Sequence, residues 1–126
     1  MPVPWRFVGS VLVLSTEGDY TKAELEEAVA LAVADPRFRP GTRLLFDGRL
    51  STSVPSSADV QWRVHWAASL HRRGFARRVG IIARDEPFRL GIGRQISALA
   101  ESRGVEMRIF KDEESALAWV TTDAEG

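Results

Sequence analysis

Cysteine is absent from the 126 residues. That excludes a disulfide framework, a thiol nucleophile and a thiolate metal site. Histidine is scarce: only His65 and His71 occur, too few for a His-rich metal site. Six positions apart on one expected helix, they stand about 120° apart around its axis and are poorly placed to cooperate. Long apolar runs are missing as well. Nothing approaches the roughly 20 residues that cross a bilayer, so no membrane insertion is expected. The opening MPVPWRF lacks the basic and apolar regions of a signal peptide, which makes a cytoplasmic protein the default expectation. Neither charge is in surplus, with 17 Lys and Arg against 17 Asp and Glu. A global field for nucleic acid is therefore lacking, and no nucleic-acid partner is expected. No G-x-S-x-G elbow appears. Without a nucleophile–base pair or a metal cluster, neither catalysis nor a cofactor is expected.

What is present is an alternation of short apolar runs and helical patterns, at a length suited to one domain. Trp5 to Val8 and Val11 to Leu14 read as two strands joined by Gly9-Ser10, which suits a type II′ hairpin. Thr21-Lys22-Ala23-Glu24 reads as a capping box, and Leu25, Ala28, Val29, Ala32 and Val33 follow as one helical stripe. Asp35-Pro36 ends that helix. Leu44 to Phe46 form a buried strand, and Ser56 to about Arg73 a second helix stopped by Gly74. Val79 to Ala83 form the next strand. Asp85 is the expected cap of a third helix, with Pro87 in its first turn and Phe88, Ile92, Ile96 and Leu99 on its core face. Val105, Met107 and Ile109 alternate as a strand, and Asp112 caps a last helix. The expected order is ββαβαβαβα, an α/β fold with mostly parallel strands after the hairpin.

Two stretches carry a resemblance. TKAELEEAVALAVADPRFRPGTRLLFDGR and RRVGIIARDEPFRLGIGRQISALAESRGVEMRIFKDEESALAWV resemble the SpoIIAA-like branch of the STAS domains, named for sulfate transporters and anti-sigma-factor antagonists. Nearly the whole chain matches in element order. The resemblance implies a mixed, mostly parallel sheet of about five strands with four helices and no chemistry of its own. It also implies binding of partner proteins, nucleotides or lipid-like ligands. In switch members a strand ends in Asp, and an Asp-Ser pair opens the next helix, where the Ser is phosphorylated. Here that strand ends at Asp47, and Ser56 and Ser57 open the helix. Pro55 precedes them instead of Asp, and Ala58 follows where Gly is common.

The candidate sites follow from this frame. Ser56 is an N-cap answered by Asp59, a phosphoacceptor, or both, and Ser57 is a second phosphoacceptor candidate; a phosphate is well received at a helix N-terminus. Ligands in open α/β sheets sit outside the carboxyl ends of the strands. Those ends carry Asp47, Arg49 and Ser51, then Arg84, Asp85 and Arg89. These are ligand-binding candidates, and the alternative is that they pair among themselves. Gly91-Ile92-Gly93 is a poor phosphate motif and reads as close helix–sheet packing. On the second helix Val60, Val64, Ala67 and Ala68 form one stripe, while Trp62 and Trp66 fall on another side with Arg73. That second surface is expected to be an interface, most simply of a homodimer, with burial inside the monomer or a ligand wall as alternatives. The expected role is a non-catalytic module binding a partner protein. The alternative is a carrier of a small apolar or anionic molecule.

Overall fold

The computed structural model of the chain describes residues 3–52 and 55–122. Strands β1 (Trp5–Val8), β2 (Val11–Ser15), β3 (Thr42–Asp47), β4 (Phe75–Ile82) and β5 (Glu106–Phe110) form one sheet in chain order. β1 pairs antiparallel with β2, and every later pair is parallel. Gly9 makes the hairpin possible: its φ of +56° is a conformation that side chains other than Gly resist. Helices α1 (Lys22–Val33), α2 (Ser57–Leu70) and α3 (Pro87–Glu101) connect the parallel strands, and α4 (Glu113–Thr121) closes the chain. The expected order and the α/β class are both observed.

Strand alternation divides the core into two layers. Leu12, Leu14, Leu44, Val79 and Met107 face α1, α2 and α3, and Val29, Val64 and Ala100 meet them from the helices. Val11, Val13, Leu45 and Ile82 face the other way, toward Ala116 and Val120 of α4. Gly80 is where that second layer is tightest. A Cβ there would lie 2.8 Å from Leu45 Cδ1 and 2.9 Å from Val120 Cγ1.

Three helix starts are built as read. Thr21 and Glu24 bond reciprocally at α1, Ser56 and Asp59 do the same at α2, and Asp112 accepts from Ser115 N at α4. The third is not. Glu86, not Asp85, occupies the N-cap of α3, and no side chain caps that helix. Asp85 points to solvent and pairs with Lys111 at 3.3 Å. Pro87 at the first helical position already supplies a fixed φ and has no amide to satisfy. β4 also begins four residues earlier than the apolar run implied, at Phe75. Its arginines find partners within the fold: Arg78 lies over the Trp119 ring and donates to the carbonyls of Trp119 and Thr122. α2 accordingly stops at Leu70, and a 3-10 turn over His71–Arg73 leads to Gly74 at φ +107°.

Candidate functional site

At the carboxyl ends of β3 and β4, between the sheet and helices α1 to α3, the packing leaves a cavity of about 110 Å³. Its wall is mainly apolar: Phe46 and Ile81 from the strands, Trp66 from α2, and Ile92 and Ile96 from α3. Small residues explain the space. Gly48, Ser51 and Ala83 line it where larger side chains would fill it. On the β5 side α3 is drawn close. A Cβ on Gly93 would lie 2.1 Å from Ile109 Cδ1, so only glycine permits this approach. The packing reading thus holds for Gly93, whereas Gly91 opens on empty space.

The polar groups on the wall are Thr16, Tyr20, Ser51, Arg63 and Arg89. Among the described residues no Asp or Glu lines the cavity. Burial pushes the Tyr20 phenol above its ordinary pKa, against the pull of Arg63 and a hydrogen bond with Thr16. It therefore stays neutral and available for hydrogen bonding across the physiological range. The Arg63 guanidinium sits 5.1 Å from the centre of the Tyr20 ring. Arg89, in the first turn of α3, is largely enclosed, with its side chain 12% exposed. Its Nε is buried without a hydrogen-bond acceptor. Glu86 stands 3.8 Å away, beyond hydrogen-bond reach, and accepts from Arg84 Nε at 2.6 Å instead.

Of the six ligand candidates from the sequence, Ser51 and Arg89 reach this cavity and four do not. Alternation along β3 is the reason for Asp47. Phe46 faces the cavity, so its neighbour faces the α4 side. There Asp47 is held by Arg49 through two side-chain hydrogen bonds, 2.9 Å from Nε and 2.7 Å from Nη2. Those bonds lower the Asp47 pKa, with the nearby positive charge of Arg49 adding to the effect. Arg84 is paired with Glu86 and donates to the Arg49 carbonyl at 3.3 Å, and Asp85 is on the surface. Thr16, Tyr20 and Arg63 had no sequence signal. Each is an isolated polar residue on a different element, brought together only by the fold.

Trp62 and Trp66 take up a second surface of α2, and within the monomer that surface meets α1 and β3. Trp66 is 8% exposed, stacks on Trp62 with centroids 5.5 Å apart and packs against Phe46 at 6.0 Å. Its Nε1–H donates to Glu26 of α1, and Arg73 pairs with the same carboxylate. The two tryptophans and Arg73 therefore fasten α2 to α1, and Trp66 also serves as cavity wall. Ser56 and Ser57 are exposed at the start of α2. Ser56 Oγ accepts from Asp59 N at 3.1 Å, while Asp59 Oδ2 accepts from Ser56 N at 3.0 Å. A phosphate on Ser56 would meet the Asp59 carboxylate at close range, an unfavourable pairing of like charges. Ser53 and Val54, in the loop before it, lie outside the described residues.

Among the described residues no group of His, Asp and Glu is arranged to hold a metal ion, and no helix is long and apolar enough to cross a membrane. No family model matches the chain, and no curated protein matches it. Among solved structures it is similar to an uncharacterized protein of the DUF3478 family with a SpoIIAA-like fold, from Shewanella loihica. The two share 19% identity, with a TM-score of 0.62 over 94% of this chain and 91% of the other. The fold is therefore SpoIIAA-like, with a mixed five-stranded sheet and four α-helices.

Proposed function

We propose that this SpoIIAA-like chain is a non-catalytic binding module for a small, mainly apolar molecule, held in the cavity at the strand ends. The cavity itself carries this reading. Protein interiors pack to a density that leaves few voids larger than a water molecule. A space of about 110 Å³ walled by Phe46, Ile81, Trp66 and Ile96 departs from that standard. Apolar cavities of about 150 Å³ stay dry and bind benzene-sized molecules. The size here suits a ring or one short acyl chain, and two-chain lipids are too large. The location supports the same reading, since ligands of open α/β sheets collect at the carboxyl ends of the strands. Two exposed apolar side chains, Leu50 at 65% and Phe88 at 47%, stand just after β3 and in the first turn of α3.

The partner-protein reading drew on Trp62 and Trp66; Trp66 is buried against α1 and Phe46, and the half-buried Trp62 stacks on it within the monomer. Native mass spectrometry of the chain purified from its own host tests the proposal. A retained small-molecule mass is expected. Ile96→Phe, which projects a ring into the cavity, is expected to remove that mass with little change in melting temperature. A bare chain under gentle ionisation, or an adduct unaffected by Ile96→Phe, would contradict the proposal.

A further inference from the structure

The cavity wall is apolar, yet its two charged groups have the same sign. Arg63 and Arg89 line it, and no carboxylate of the described residues does. Arg63 is engaged over the face of Tyr20. Arg89 differs. Its contacts are the Phe88 ring, 5.1 Å away, and Glu86 at 3.8 Å, and neither accepts a hydrogen bond from Nε. A buried donor without an acceptor is a standing cost to the fold, and structures rarely leave one unexplained. Glu86 accepts from Arg84 Nε at 2.6 Å and stands beyond hydrogen-bond reach of Arg89 Nε. A guanidinium presents its donors in a planar fork that matches a carboxylate bidentately. Position adds to this. Arg89 lies in the first turn of α3, at the positive end of the helix dipole, and no side chain caps that turn.

Building on the cavity reading above, we infer that the site selects a short-chain carboxylate, its head on Arg89 and its apolar part among Phe46, Ile81 and Ile96. The head would supply the acceptor that Arg89 Nε lacks. The tail would displace no ordered polar group, since that part of the wall is aliphatic and aromatic. The cavity volume limits the tail to about the size of a benzene ring, which a five-carbon chain matches. A neutral alcohol of equal length would fill the same space and leave the arginine unmet.

The test compares hexanoate, 1-hexanol and acetate by methyl NMR titration of the full chain at constant ionic strength. Hexanoate is expected to bind at least about tenfold more tightly than either comparison ligand, the scale of one charge-assisted hydrogen bond. Arg89→Gln is expected to abolish the preference for hexanoate over 1-hexanol while leaving 1-hexanol binding in place. Arg89→Lys, which keeps the charge and loses the fork, is expected to retain part of it. Equal or tighter binding of 1-hexanol to the unmodified chain would overturn the role of Arg89 and leave the cavity reading standing. Acetate binding as tightly as hexanoate would overturn the amphiphile in favour of a free-anion site. If neither six-carbon ligand perturbs the lining methyls, the cavity reading and this inference both fall.

Discussion

Trp66→Ala is expected to lose about 3–5 kcal/mol of folding stability, the range for truncating a buried tryptophan. The residue is 8% exposed, and its ring contacts Trp62 and Phe46. Truncation would enlarge the existing cavity, so collapse cannot recover the lost contacts. It would also release Glu26, which then keeps only Arg73. Whole-domain stabilities run at about 5–15 kcal/mol, so this is a major fraction. Urea unfolding at several protein concentrations measures it. The loss is expected to be the same at every concentration, because the contacts lie within one chain. A stability that rises with concentration would mean that Trp66 seals a subunit interface, and would restore the homodimer reading.

The second large effect is expected at Gly93, and its neighbour provides the contrast. Gly93→Val is expected to cost about 1–3 kcal/mol, the range for overpacking a core. The first added carbon would already meet Ile109 Cδ1 at 2.1 Å and Ile109 Cβ at 3.1 Å. α3 would have to lift from β5, which would distort the cavity wall that Gly93 and Ile109 share. Gly91 has nothing within 4 Å of its added Cβ. Gly91→Ala is therefore expected to gain up to about 1 kcal/mol from helix propensity alone. Thermal unfolding of the two variants should move in opposite directions. Equal losses at both positions would show that α3 tolerates neither, and that packing on Ile109 is not the cause.

Local rules carried most of the fold. The reciprocal bonds of Thr21 with Glu24 and of Ser56 with Asp59 are short-range chemistry, readable from residues three apart. The same holds for the cap at Asp112 and for the glycine in the hairpin. The first half of β4 was hidden because Arg77 and Arg78 look like a charged loop. What makes them a strand is distant: Trp119 and Thr122 supply partners for Arg78 more than forty residues on. Asp85 has the side chain of an N-cap, but Pro87 at the first helical position makes Glu86 the cap residue.

The site was legible only in its location. The cavity lies at the strand ends, but residues at a strand end point to opposite faces. Phe46 in the apolar layer already implied that Asp47 looks toward α4, away from the cavity. Helical spacing puts Trp66 on a second surface of α2 but does not say what covers it. In fact α2 is covered on a second side by α1, through Glu26. Tyr20 and Arg63 meet only once α1 and α2 are both laid on the sheet, a contact that no spacing in the sequence encodes.

The central claim is that the space at the strand ends receives an apolar group. Titration of 1-hexanol into methyl-labelled protein tests it most directly. The account predicts saturable shifts at the methyls of Ile81, Ile92, Ile96 and Ile109, with Val11 and Val120 on the α4 side unmoved. Shifts that fail to saturate, or that gather on the α4 side instead, would contradict it.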